Sequence, residues 1–234
     1  MIRHRLTSLI RRATGLLPTP SRLRALTFID CLIGAAEPEN VYVPPLLPKH
    51  QRRVAVDVGA NNGVTTCIMA ALFSKVHAFE ANPVLCKDLE TVAPANVEVH
   101  GVALSSHAGE AVLTVPISAG VTLSGWGSVE APLLDHFESS SRIPVRADTL
   151  DSFGFTHVDL LKIDVEGHEM AVLAGAAETI RRCLPWLIIE SVGEKRERVR
   201  EWVFSLGYHE TTLQTLTGRK GSSHNLVFIP SHNP

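Results

Sequence analysis

The run Asp57-Val-Gly-Ala-Asn-Asn-Gly63 places an acid, two glycines and two amides directly after a short apolar stretch and at the start of a helical one. Glycine lets the backbone take positive φ and come close to a ligand, and a helix N-terminus offers unpaired N–H groups. A dinucleotide turn needs the G-x-G-x-x-G register for its pyrophosphate, and a carboxylate beside that phosphate would be repelled. Here the spacing is D-x-G-x-x-x-G. It suits a ligand with an ammonium and a carboxylate together, the first facing Asp57 and the second meeting N–H groups between Asn61 and Gly63. The amino-acid end of S-adenosylmethionine carries both. The competing structural reading is a tight strand-to-helix turn with Asp57 as a capping group.

Two further constellations fit the same ligand. Glu80 ends the next apolar run, and an acid there can accept both hydroxyls of a ribose. It does not separate a sulfonium cofactor from a nicotinamide one. The segment Val158-Asp-Leu-Leu-Lys-Ile-Asp-Val-Glu-Gly-His-Glu169 begins as a buried strand and turns polar. Ligands of open α/β sheets bind at the carboxyl ends of the strands, so Asp164, Glu166 and His168 are expected to share one crevice with Asp57 and Glu80. The cluster could face the sulfonium, act as the base that deprotonates an acceptor hydroxyl, or hold a divalent metal. Asp164 is the first choice for base or substrate orientation and His168 the second. No separate fourth ligand can be identified, so no metal is assigned. Glu169 reads as a helix N-terminal acid, and Lys162, on the same side of the strand as Asp164, as a partner for a carboxylate.

The sequence resembles the FkbM-type methyltransferases of the S-adenosylmethionine-dependent class. The resemblance rests on Asp57 to Gly63, Phe79-Glu-Ala-Asn-Pro83, the run from Val145 to Asp151, Asp159-Leu-Leu-Lys-Ile-Asp-Val-Glu-Gly167, Val172-Leu-Ala-Gly175 and Leu187-Ile-Ile-Glu190. It implies a Rossmann-like class I methyltransferase domain that uses S-adenosylmethionine to methylate oxygen on sugars, glycolipids, polyketides or carboxylates. Asp57, Gly59, Asn61 and Gly63 carry over as cofactor-turn residues, Glu80 as the ribose acid, and Asp164 and Glu166 as active-site carboxylates. His168 rests on local geometry alone, and Ala81 stands where that family commonly has proline.

Short β-branched runs alternating with helical segments from Arg53 onward predict the scaffold: an α/β, mostly parallel, doubly wound sheet with helices on both faces and an antiparallel C-terminal strand. Strands are expected at 54–58, 76–80, 97–104, 157–165, 186–190, 208–213 and 225–229. Helices are expected at 65–73, 83–92, 168–182 and 194–206. Residues 111–115 read as an antiparallel excursion, and the Ser- and Gly-rich stretch 116–141 as a long loop where Trp126, His136 and Arg142 could meet an acceptor.

Composition bounds the rest. The chain has 234 residues, 45% hydrophobic and 20% charged, with four cysteines and a formal net charge of −2. That excludes wholesale disorder, a collagen-like chain and a disulfide framework, and it argues against nucleic acid as the main partner. Cys31, Cys67, Cys86 and Cys183 read as reduced, buried thiols. Residues 1–50 form a separate basic extension ending in Val43-Pro-Pro-Leu-Leu-Pro48, with 51–234 the catalytic domain. Ile2, Leu6, Leu9 and Ile10 fall on one face of a helix surrounded by arginines. That helix packs on its own domain or a second subunit, lies on a membrane surface, or is a transit peptide. The expected location is cytoplasmic, with peripheral contact on the inner membrane face if the helix anchors, and the expected partner is a small-molecule, sugar or lipid-linked acceptor. A nicotinamide oxidoreductase and a non-catalytic methyltransferase-like module are the alternatives.

Overall fold

A computed structural model describes residues 36–118, 121–122, 127–130 and 139–231. The expected amphipathic helix that carries Ile2, Leu6, Leu9 and Ile10 lies outside the described residues, as do Cys31, Trp126 and His136. A short helix α1 (Pro38–Tyr42) and a Pro-rich 3-10 turn (Pro44–Leu46) lead into the domain. Strands β1 (Val54–Val58), β2 (Lys75–Phe79) and β3 (Val97–His100) alternate with helices α2 (Val64–Ala70) and α3 (Pro83–Val92). Asn82 caps α3 by accepting from Val84 N–H at 3.0 Å, and Pro83 occupies the first helical position, where a missing N–H costs nothing.

The chain then leaves the main sheet for β4 (Ala103–Leu104), β5 (Gly109–Ser118), β6 (Val121–Thr122) and β7 (Ser139–Asp148). It returns through β8 (Leu160–Ile163), α4 (Glu169–Gly175), α5 (Ala177–Cys183), β9 (Trp186–Glu190), α6 (Lys195–Phe204), β10 (Tyr208–Thr211), α7 (Leu213–Thr217) and β11 (Asn225–Pro230). The main sheet has the order β10-β11-β9-β8-β1-β2-β3, with β11 antiparallel to both its neighbours. This is the doubly wound arrangement expected.

One face of the sheet packs Val56, Val58, Leu161, Ile163 and Ile189 against Val172, Leu173 and Ile180 of α4 and α5 and Val199 and Val203 of α6. The other packs Ala55, Val76, Leu160 and Ile188 against Met69, Val43, Leu47 and Leu213. Burial on both faces is what parallel strands require, and it explains their near-continuous apolar runs, interrupted at Asp57 in β1 and Lys162 in β8.

Four expectations change. The loop at 116–141 is partly strand, because β5 runs on to Ser118 and pairs antiparallel with β7 from Gly109↔Ala147 to Ile117↔Ser139. Arg142 lies on β7, exposed. The strand expected at 97–104 is two strands in different sheets, split at Gly101 and Val102. The helix expected at 168–182 breaks at Ala176, just after Gly175 presses against the chain at Ser105: a Cβ on Gly175 would lie 2.0 Å from the Ser105 carbonyl oxygen. Finally, a helix, α7, occupies part of the stretch given to the last two expected strands and the connection between them, capped by Thr212, whose hydroxyl accepts from Thr215 N–H at 3.1 Å. Among the described residues, Cys67, Cys86 and Cys183 are free thiols, and no helix is long and apolar enough to cross a membrane.

Candidate functional site

Register decides what gathers at the carboxyl ends of the strands. Asp57 on β1 is directly opposite Lys162 on β8, so their side chains share a face, and strand alternation puts Asp164 on that face two residues on. Lys162 is buried and its ammonium lies 3.2 Å from a carboxylate oxygen of each acid. It also donates to the Gly59 carbonyl at 3.0 Å. Burial alone would lower this lysine, but attraction to Asp164 and Asp57 outweighs it, and the ammonium is held above its ordinary range. The remaining oxygen of Asp57 accepts from the Thr66 hydroxyl at 2.6 Å. Asp57 is fully buried and stands behind the cavity wall, outside the residues that line the cavity.

The turn after β1 is fixed just as tightly. Gly59 and Ala60 N–H both donate to the Phe79 carbonyl at 3.0 Å, Asn61 N–H to Glu80 Oε2 at 2.7 Å, and Gly63 N–H to the Ala60 carbonyl at 2.9 Å. Gly59 has φ +75, and a Cβ there would sit 1.8 Å from the Asp164 carbonyl oxygen, so glycine is the only residue that lets the two strand ends close up. Glu80 receives a second backbone donor, Asn82 N–H, at 2.7 Å. Burial raises its pKa against the effect of those two bonds. Its oxygens keep lone pairs that face the cavity it lines with Gly59, Asn61 and Asp164.

Three acids meet on the opposite wall. Glu166 carries the left-handed φ of +50, unusual for a residue with a side chain. Although Glu166 is exposed at the cavity mouth, partial desolvation of its carboxyl, then repulsion from Asp164 and Glu169, pushes it up to about 7. Glu190 ends β9 beside Asp164, and burial, followed by the charge of Asp164 and a hydrogen bond with it, raises the Glu190 carboxyl above the usual carboxylate range. All three line the cavity.

His168 lines it too, with Nε2 hydrogen-bonded and Nδ1 near a carboxylate. Nε2 lies 3.0 Å from Ser105 Oγ and Nδ1 lies 3.4 Å from Glu130 Oε1. Burial lowers its pKa. Glu130 is paired with Lys195 at 2.7 Å, and Lys195 donates to the Gly167 carbonyl at 2.6 Å. Ser128 closes the same turn from above, donating to the Glu166 carbonyl at 2.8 Å. Glu169 caps the turn from below, accepting from Gly167 N–H at 2.6 Å. The segment 127–130 thus clamps the turn that carries Glu166 and His168.

The structure therefore brings Gly59, Asn61, Glu80, Asp164, Glu166 and His168 to one cavity and sets Asp57 and Gly63 behind it. Sequence reasoning missed Glu190, although the strand-end rule that selected Glu80 applies to it equally. Ser105, Glu130 and Lys195 carried no local signal, since their partners lie 28 to 65 residues away in the chain.

The sequence profile described as the methyltransferase FkbM domain matches residues 57–210. A solved structure described as methyltransferase FkbM from Methylobacillus flagellatus KT superposes with a TM-score of 0.56 at 14% identity, covering 96% of this chain and 59% of that one. The chain therefore spans about three fifths of that protein's length. A structure described as an rRNA methylase from Streptococcus thermophilus gives a TM-score of 0.50 at 14% identity, covering 83% of this chain and 95% of that one. At such identities the likeness is one of fold. No curated protein matches the sequence.

Proposed function

The chain belongs to the FkbM methyltransferase family, and on that premise we propose that it transfers a methyl group from S-adenosylmethionine to a hydroxyl or carboxyl oxygen of a small molecule, sugar, glycolipid or polyketide-like acceptor. The observation that carries this reading is the cavity itself: an acid at the end of β2 on one wall and three acids at the ends of β8 and β9 on the other. Such a cavity suits a cationic ligand with a ribose, and it would repel the diphosphate of a nicotinamide dinucleotide.

S-adenosylmethionine would supply an electrophilic methyl on a positively charged sulfur. Glu80 would accept the ribose hydroxyls, while other lone pairs of its carboxylate hold Asn61 and Asn82 N–H in place. Asp164, whose backbone carbonyl packs against Gly59 of the glycine turn, would face the ammonium of the cofactor's tail. The first-turn acid Asp57 acts one layer back, since its charge is spent on Lys162, which in turn holds Asp164 and the Gly59 carbonyl. Glu166 is the base. Its pKa of about 7 lets it take a proton from an acceptor hydroxyl near neutral pH, as general-base catalysis requires. His168 orients the turn through Ser105 and Glu130, and the protein's share of the catalysis is alignment, charge and one proton.

The reading is tested by calorimetry and thermal shift with S-adenosylmethionine and, separately, with NAD. Binding of the sulfonium compound and a raised Tm, with no response to NAD, is expected. A response to NAD alone would reassign the chain to hydride chemistry. Methyl incorporation into an acceptor panel, read by mass spectrometry, distinguishes oxygen from nitrogen or carbon as the acceptor atom.

A further inference from the structure

At the edge of the main sheet, one ring beyond the cavity-lining Phe79, β2 and β3 present three metal-ligating side chains to one another. The strands are parallel with His77 opposite Glu98 and Phe79 opposite His100. Register partners and their i+2 neighbours share a face, so His77, Glu98 and His100 project together. His77 Nδ1 and His100 Nε2 face each other at 3.0 Å. The Glu98 carboxylate straddles the pair, one oxygen 3.8 Å from His77 Nδ1 and the other 3.9 Å from His100 Nε2. One donor atom from each residue lies within 4.8 Å of the other two.

We propose that His77, Glu98 and His100 form a binding site for a divalent transition-metal ion of the zinc class, separate from the methyl-transfer site. A tetrahedral ion with metal–nitrogen bonds of about 2.0–2.1 Å sets its ligand atoms about 3.3 Å apart. The imidazole nitrogens need to spread slightly from 3.0 Å and the carboxylate to close in from 3.8 Å, both within reach of ordinary side-chain torsions. The rings are already oriented. Phe79 stacks on His100 with centroids 4.5 Å apart, Phe153 meets the same ring edge-on at 5.2 Å, and Phe155 packs on His77 at 4.6 Å. The histidine side chains are only 13% and 16% exposed, whereas Glu98 is 51% exposed, so the site opens to solvent on its carboxylate side. That opening admits the ion and supplies water as the fourth ligand. Two nitrogens and one oxygen select zinc, cobalt, nickel or copper over magnesium or calcium.

Lys75 is the built-in competitor, its ammonium 2.8 Å from Glu98 Oε2. An occupied site must release Glu98 from this pair, and the lysine's charge then repels the ion. The site is also joined to the cavity through the backbone, because Glu80 N–H donates to the His100 carbonyl at 3.0 Å. An ion that fixes His100 therefore stiffens the strand end carrying Glu80.

The test is a zinc titration of the chelator-treated, full-length protein against a chromophoric competitor, with cobalt substitution as a spectroscopic check. One tight equivalent is expected, and the cobalt form should show visible d–d bands without the intense absorption of thiolate ligation. His77→Gln and His100→Gln should each weaken that equivalent at least about ten-fold. Glu98→Gln, at an exposed position, should weaken it without a change in Tm of the metal-free protein, which separates loss of a ligand from loss of fold. Lys75→Met should tighten binding several-fold, the opposite sign. The proposal is overturned if the wild type binds no zinc, if the cobalt spectrum shows thiolate ligation, if Glu98→Gln and His77→Gln bind as the wild type does, or if Glu166→Gln abolishes the tight equivalent instead.

Discussion

Glu166 holds two properties that pull in different directions. Its backbone sits at φ +50, a conformation costing a residue with a side chain on the order of 1 kcal/mol, and its carboxyl titrates near 7 among like charges. Replacing it with glycine removes the backbone cost and the repulsion together, and leaves the carbonyl that accepts from Ser128. Glu166→Gly should therefore raise Tm by about 2–4 °C while methyl transfer falls steeply. A lowered Tm would show that the side chain holds the turn rather than strains it. Glu166→Gln isolates the proton. Cofactor affinity measured by calorimetry should stay within a few-fold of wild type, turnover should drop, and the rise of wild-type rate with pH through about 7 should disappear. Asp164→Asn should behave oppositely, weakening cofactor binding by about 10- to 100-fold through loss of a charge-assisted hydrogen bond. If the two variants gave the same pattern, the division of labour between the two acids would be wrong.

Elements impose constraints that residue types do not announce, and Gly175 is the sharpest case. By helix propensity an alanine there should gain up to about 1 kcal/mol. The space contradicts this, since the added Cβ would lie 2.0 Å from the Ser105 carbonyl oxygen and 3.2 Å from Thr149 Cβ. Backbone cannot yield as a flexible side chain does, so overpacking of about 1–3 kcal/mol wins. Gly175→Ala should lower Tm and, by displacing Ser105, release His168 from its 3.0 Å contact. A raised Tm would mean that α4 rides on β4 more loosely than this. The same contact explains what could be read beforehand. The strands at 54–58 and 186–190 were legible to the residue because buried parallel strands are near-continuous apolar runs bounded by turns, with Asp57 and Glu190 as their only charged members. The break at Ala176 was not, because the helical period continues through it and only packing against Ser105 interrupts it. Strand β7 was hidden because its first residues, Ser139 to Ser141, carry a loop composition and become strand by pairing with β5. At the site, Glu80, Asp164, Glu166 and His168 were legible from their place at strand ends. Lys162 as the link between Asp57 and Asp164 depended on a register between two strands more than 100 residues apart.

Across the molecule the raised acids share one consequence. Glu39, Glu80, Glu166, Glu169 and Glu190 all hold protons more tightly folded than unfolded. Where the folded pKa is above the unfolded one, the native state binds the extra proton, so the stabilisation is full below about pH 4.5 and is lost as pH rises through the folded value. For Glu166 that window runs from about 4.5 to about 7, and its exposure to solvent makes the effect smaller than the shift alone suggests. His168 works the other way: burial lowers its pKa, so its contribution is lost as pH falls below about 6.5. Above pH 7 the carboxyls of Glu166 and Glu190 still lose protons, and thermal melts should show Tm falling between pH 7 and 9. A cation placed among these acids lowers their pKa and displaces their protons. Binding of S-adenosylmethionine should therefore release protons at pH 7 and tighten as pH rises to 8, with the apparent binding enthalpy shifting with the ionisation enthalpy of the buffer in the sense of release. Glu166→Gln should reduce the number released. Proton uptake on binding would mean that the acidic wall does not face the sulfonium, and the orientation of the cofactor in the cavity would have to be reversed.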